Sequence, residues 1–253
     1  MVRDVWEVAD AYEAYVGRWS RRVAREFVSW LALPPGGRRL DAGCGTGALT
    51  AALRAAGAGQ VVGADPAPGF LRQNTGARIL ADARALPLRD ASVDAVVSGL
   101  ALNFVPEPAR AVAEFARVTA PGGTVAAYVW DYAEGMAMMR LFWDAAALAD
   151  PGGGIDEGAR FPLCRPEPLA ALWRAAGLAD VEVRGIEIPT EFTGWDDYWE
   201  PFLGGQGAAP AYLMSLSEQR RAAVREALRG LVPVGPGGAI RLTARAWAVR
   251  GAR

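Results

Sequence analysis

Leu40-Asp41-Ala42-Gly43-Cys44-Gly45-Thr46-Gly47 combines a carboxylate with glycines at alternate positions, and a second acid, Asp65, ends the apolar run Val61-Val62-Gly63-Ala64. A strand that ends in an acid, then a glycine-rich turn and an Ala/Leu-rich helix, brings bare backbone close to a ligand that a Cβ would repel. The helix N-terminus behind the turn adds outward-facing N–H groups. Asp65 stands at the tip of the next strand, where an acid accepts hydrogen bonds from ribose hydroxyls. This chemistry is the binding of a nucleoside-containing cofactor.

Two cofactors suit such a loop. Read as Gly43-x-Gly45-x-x-Ala48, it matches the dinucleotide fingerprint, in which glycines admit a pyrophosphate and the later acid takes a 2′-hydroxyl. Read as Asp41-x-Gly43-x-Gly45-x-Gly47, it resembles motif I of the class I S-adenosylmethionine-dependent methyltransferases. Asp41 favours the second reading, because a carboxylate ahead of the glycines repels a pyrophosphate and suits a cationic amino-acid tail. Cys44 needs only to be small at its place in the loop.

Four further segments carry the same resemblance in order. Val61 to Leu71 is similar to the family's second motif. Ile79-Leu80-Ala81-Asp82-Ala83 with Leu86-Pro87-Leu88 is similar to its third strand, and Asp94 to Leu102 to its fourth strand and the loop beyond. Glu114 to Trp130 resembles the helix, Pro-Gly-Gly turn and fifth strand of the branch that includes the ubiquinone and menaquinone methyltransferases. The resemblance runs from about residue 38 to 132. It implies S-adenosyl-L-methionine as cofactor, S-adenosyl-L-homocysteine as product and no metal. It further implies that Asp41, Gly43, Cys44, Gly45 and Gly47 hold the methionine end, Asp65 with Pro66 the ribose, and Asp82 with Ala83 the adenine, with Leu100 flooring the site. In related enzymes a Tyr or Arg from the leading helices often reaches over the methionine end, a role for which Tyr12, Tyr15, Arg18 and Trp19 are placed, with Arg18 or Arg21 able to meet the carboxylate.

Composition prunes the alternatives. The 253 residues, 52% of them hydrophobic, suffice for one sizeable α/β domain with insertions. There is no histidine, and all 27 basic residues are arginine. That removes Ser-His-Asp triads, His-based zinc sites, the P-loop lysine and Schiff-base mechanisms. A formal net charge of −1 without a basic run argues against a nucleic-acid substrate. No apolar run is long enough to span a bilayer, and acids at Asp4 and Glu7 do not suit a signal peptide, so a cytoplasmic protein is expected. Cys44 and Cys164 are too few for a disulfide framework or metal cluster.

The elements that must position these residues follow from periodicity. An amphipathic helical lead-in is predicted over 5–33, with Tyr12 and Tyr15 on one face, closed by Pro34-Pro35-Gly36-Gly37. Strands are predicted near 38–42, 60–64, 78–81, 93–98 and 123–130, with helices after the first two and at 107–118. A helix from Pro166 to Ala176 stops at Gly177, strands follow at 181–192 and 241–249, and a helix lies near 217–230. The expected fold is a doubly wound, mostly parallel seven-stranded α/β sheet, whose last strands form the family's antiparallel pair. The whole of 1–253 is expected to be one domain, with a cofactor-binding core at 38–132 and substrate-side cap insertions at 133–160 and 193–238.

Both insertions leave the cofactor edge of the sheet and are rich in aromatics with interleaved acids. Each aromatic is expected to pack the cap first, with pocket lining as the exception. The best exceptions are Trp130 and Asp131, just past strand five. In-line methyl transfer needs alignment and exclusion of water, and needs a base only for a neutral hydroxyl or an acidic carbon. Asp131 and then Tyr132 are the candidate bases. Asn103 stands where many relatives carry His, and it can orient a substrate but take no proton. The acceptor is expected to be a small, apolar or aromatic molecule, and the protein a monomer or homodimer. Two other readings carry the same loop: a non-catalytic S-adenosylmethionine-binding protein, and a nicotinamide-dependent oxidoreductase.

Overall fold

In the computed structural model, residues 13–151, 157–205 and 207–253 are described. Tyr12 and the first part of the predicted lead-in lie outside them. A seven-stranded sheet has the order β3-β2-β1-β4-β5-β7-β6. Its strands are β1 (Gly36–Ala42), β2 (Ala58–Asp65), β3 (Arg78–Leu80), β4 (Val93–Gly99), β5 (Thr119–Trp130), β6 (Ala179–Phe192) and β7 (Ile240–Ala252). Neighbours from β3 through β5 pair in parallel, and β7 runs antiparallel to β5.

The helices follow where the sequence stops alternating. A π-helical turn, Glu13–Gly17, leads into α1 (Arg18–Leu31), and α2 (Ala48–Ala55), α3 (Pro68–Gln73) and α4 (Pro108–Val118) connect the parallel strands. Proline in the first turn suits α3 and α4, because its missing N–H would have no helical partner there. Then come α5 (Ala137–Ala149), the single turn α6 (Glu157–Arg160), α7 (Pro166–Ala175), the short α8 (Trp195–Trp199), α9 (Ala208–Ser215) and α10 (Glu218–Leu231). Ser217 caps α10 by accepting the Arg220 N–H.

The Pro121-Gly122-Gly123 segment, expected as a turn ahead of strand five, lies inside β5. There the register against β4 jumps from Val93↔Thr119 to Ala95↔Thr124, and Gly122 has φ +77°. Residues 120–123 have no partner on β4, so the turn chemistry survives as an excursion between the paired residues Thr119 and Thr124.

The described residues form two compact units. The core unit, Ser20–Trp130, Leu163–Ile186 and Ala246–Arg253, contains the parallel strands. Leu40, Val96, Val97, Val125, Ala126 and Val249 are fully buried in it, and the Trp173 indole N–H donates to the Val125 carbonyl at 2.9 Å. The cap unit comprises the described parts of Met1–Trp19, Asp131–Pro162 and Glu187–Arg245. It has its own aromatic interior: Phe142 stacks on Phe202 at 4.7 Å, Tyr15 meets Phe202 edge-on at 5.4 Å, and the Tyr198 hydroxyl donates to the Met138 carbonyl at 3.1 Å.

Candidate cofactor site

The order of the sheet reverses between β1 and β4, where chains leave in opposite directions and open a crevice at the carboxyl ends of the strands. Both loops at that point carry unusual backbone. Gly43 has φ +74°, and a Cβ there would lie 2.4 Å from the Cβ of Ala101 in the loop after β4. Gly45 has φ +50°, yet nothing lies within 4 Å of its Cβ position, so this glycine leaves open space beside the backbone. On the other loop Leu100 sits at φ +58°, a costly conformation for a residue with a branched side chain, held by its N–H donating to the Tyr128 carbonyl at 2.8 Å.

The glycine loop is pinned to β2 from below. The N–H groups of Gly43 and Cys44 both donate to the Ala64 carbonyl, at 2.7 and 3.0 Å. Asp65 completes the hold: one oxygen accepts the Gly45 N–H at 2.9 Å and the other the Ala67 N–H at 2.8 Å. Burial raises the Asp65 pKa, and these two backbone donors oppose it. Pro66 beside it is exposed. Gly47 caps α2 in the left-handed region with no side-chain cap, leaving the amides of the first turn without a side-chain acceptor at the cap.

Asp41 is fully buried at the end of β1. Its Oδ2 accepts the Thr50 hydroxyl at 2.6 Å, while its Oδ1 has no hydrogen-bond partner. Burial pushes its pKa up to about 7 against the Thr50 hydrogen bonds, with Asp65 adding like-charge repulsion. A buried acceptor with a free lone pair is costly unless a donor or cation reaches it. Cys44 is buried too, and burial raises its thiol to about 12, so it carries no thiolate.

Asp82 and Ala83 follow β3. Arg84 chelates Asp82, with Nε 3.1 Å from each oxygen and Nη2 at 2.7 Å from Oδ2, and the Arg84 N–H adds a bond at 2.9 Å. These bonds hold its pKa down to about 2. The connection is clamped from α4: Glu114 accepts the Leu86 N–H at 2.9 Å, and Arg117 donates to the Leu86 and Leu88 carbonyls at 3.1 and 2.9 Å. On the loop after β4, both amide atoms of Asn103 are buried without a partner.

Of the remaining sequence candidates, Tyr15, Arg18, Asp131 and Tyr132 belong to the cap unit. The Tyr15 hydroxyl is buried without a partner, and its pKa stands well above the usual tyrosine value, first through burial and then through Glu157. Arg18 pairs with Asp197 at 2.7 Å and lies over the Trp19 and Phe192 rings at 4.6 and 4.7 Å. Arg21 instead belongs to the core unit, where it lines a cavity of about 160 Å³ with Thr46, Gly47 and Asn74. Asp131 is buried: its Oδ2 accepts Nε and Nη2 of Arg245 at 2.8 and 2.6 Å, and its Oδ1 accepts the Glu134 N–H at 3.1 Å. Tyr132 packs on Phe161 at 5.1 Å. Trp130 closes β5 and is 2% exposed.

Two groups that sequence reasoning did not single out also shape the site. Thr50 orients Asp41, and Asn74 reaches Thr50 at 3.3 Å; only their places, one turn into α2 and just past α3, hint at this. Among the described residues no cluster of His, Cys, Asp or Glu is placed to hold a metal, and no helix is long and apolar enough to cross a membrane.

Comparison with known proteins agrees with this geometry. Residues 40–127 match the family described as a methyltransferase domain. An uncharacterized methyltransferase of Mycobacterium tuberculosis is 38% identical over 155 residues, covering 59% of this chain and 60% of that relative. The ubiquinone/menaquinone biosynthesis C-methyltransferase UbiE of Acidiphilium cryptum is 29% identical over 226 residues, covering 75% of this chain and 90% of the relative. The solved structure of the YcgJ protein of Bacillus subtilis superposes with a TM-score of 0.58 at 17% identity, covering 93% of this chain and 98% of that one, and so shares the fold.

Proposed function

We propose that this protein, whose residues 40–127 match the family described as a methyltransferase domain, moves a methyl group from S-adenosylmethionine to a small apolar or aromatic acceptor. The observation that carries this reading is the buried, half-satisfied Asp41 beside the open backbone of Gly45. A carboxylate in that place suits a cationic amino-acid tail and repels a pyrophosphate. The residues fit the cofactor: Asp41 and the Gly43–Gly47 backbone would hold its amino-acid end, Asp65 its ribose, and Asp82 with Ala83 its adenine. When bound, S-adenosylmethionine supplies a methyl group made electrophilic by a positively charged sulfur.

The chain's own contribution is mostly alignment. Leu100 is held in a strained conformation, so its side chain has one direction in which to floor the site. Asn103 has a donor and an acceptor without partners, and we assign it the polar group of the acceptor. Tyr15, kept protonated by its buried surroundings, acts as a donor and not as a base. Asp131 already accepts three donors, which makes it a scaffold first and a base second; Tyr132 is the other candidate base. The name of the Acidiphilium relative, a C-methyltransferase of ubiquinone/menaquinone biosynthesis, supports an acceptor of the apolar class.

Calorimetric titration with S-adenosylmethionine, S-adenosylhomocysteine and NADH in parallel tests the reading. Micromolar binding of the first two and none of the third is expected. NADH binding alone would overturn it and move the protein to the oxidoreductases.

A further inference from the structure

A second cavity, of about 600 Å³, lies in the core unit between α1 and α2, within the range that holds small ligands. Its floor is built of alanines, Ala48, Ala51, Ala52 and Ala55, which recur at helical spacing on α2, and Val28 adds apolar surface from α1. Its cations are Arg21, Arg25 and Arg39, and no carboxylate lines it. From these features we infer that this groove binds an amphipathic carboxylate, an alkyl chain carrying one anionic head, beside the smaller cavity at the glycine loop, with which it shares Arg21, Ala48 and Ala51.

Arg39 provides the strongest reason. It is 3% exposed; Nη2 donates to the Pro34 carbonyl, and Nη1 is buried with no partner. A buried guanidinium with a donor left over is costly until an anion meets it, and a planar guanidinium matches a carboxylate. Asp94, the acid that acts on Arg39 from a neighbouring strand, is already taken by the Arg38 N–H at 2.7 Å and the Arg38 guanidinium at 3.4 Å. Burial also lowers the Arg39 pKa, the sign of a cation short of a counter-charge. The head group would sit on Arg39 with Arg25 at the mouth, and the alkyl chain along the alanines, where apolar burial adds affinity.

The inference does not rest on methyl transfer, and its test needs no acceptor. The whole protein would be titrated calorimetrically with sodium dodecanoate and with dodecyltrimethylammonium, which keeps the chain and reverses the charge. Dodecanoate is expected to bind in the micromolar range and the cationic amphiphile not at all. Ala52→Trp, a half-exposed position that a large ring would turn into a plug, should weaken dodecanoate at least tenfold. Arg25→Glu, at an exposed position, should do the same and decides the matter if Ala52→Trp fails to fold. Absence of dodecanoate binding, equal binding of the two amphiphiles, or unchanged affinity in a folded variant would each overturn the proposal. The last outcome would place the fatty chain elsewhere, as in the aromatic interior of the cap unit.

Discussion

Replacing Asp65 by alanine separates the brace that this carboxylate gives the glycine loop from the ribose contact proposed for it. It ties Gly45 and Ala67 through their N–H groups at 2.9 and 2.8 Å, and it is 7% exposed, which leaves its outer lone pairs for a ligand. Loss of a charged acceptor for the ribose hydroxyls should cost about 1.5–3 kcal/mol, a fall in affinity of roughly 10- to 150-fold. Loss of the two backbone bonds loosens the glycine loop, which by itself would weaken only the grip on the amino-acid end. Calorimetry with S-adenosylhomocysteine and with 5′-methylthioadenosine, which keeps the ribose and adenine but lacks the amino acid, distinguishes the effects. If Asp65 holds the ribose, 5′-methylthioadenosine loses affinity at least tenfold, and any further loss for S-adenosylhomocysteine reports the loosened loop. A variant that binds 5′-methylthioadenosine as the parent does, but S-adenosylhomocysteine poorly, would falsify the ribose assignment and leave Asp65 as a brace for the loop.

Two further outcomes follow from buried charges. Asp41 titrates near 7 in the folded chain and near 4 when unfolded, so between those values the folded state holds the extra proton and stability falls as pH rises, by up to about 1.4 kcal/mol per pH unit. Urea midpoints of the cofactor-free protein should drop from pH 5 to pH 8, and Asp41→Asn should flatten that slope; parallel slopes would refute the assignment. The Asp131–Arg245 pair, with side chains 3% and 30% exposed, is expected to be structural. Arg245→Met strands a buried carboxylate, so denaturant unfolding should lose about 3 kcal/mol, and an unchanged midpoint would show that the pair is dispensable.

The parallel core was legible because its signals are local. Apolar runs ending in Asp41 and Asp65, and helices opened by proline or closed by glycine, need no distant partner to be read. Strand five shows where local reading is incomplete: Pro121-Gly122-Gly123 keeps its turn chemistry, with Gly122 at φ +77°, but Thr119 ahead of it also pairs with Val93 of β4. In the site, the type and place of Asp41 and Asp82 were readable, but their satisfaction was not. The pull of Arg84 on Asp82, the Thr50 hydroxyl on Asp41 and the unpartnered amide of Asn103 emerge only when side chains are placed. Arg18 illustrates the limit. Its expected partner was a ligand carboxylate, and the structure gives it Asp197, 179 positions along the chain. No pattern in a single sequence announces such a pair.

The division of the chain also bears on how this protein can be re-engineered. Two of the cap unit's three stretches, Asp131–Pro162 and Glu187–Arg245, are bounded on both sides by core-unit sequence. Even single elements are shared: β6 changes unit at Ile186/Glu187, β7 at Arg245/Ala246 and α1 at Trp19/Ser20. The cap is therefore no cassette. A chimera that exchanges these segments has to move them together and splice them inside hydrogen-bonded strands, where one residue of register error turns every side chain to the wrong face. Recombination at loop tips cannot do this, so variation in this unit should arise by point substitution, not by its wholesale exchange.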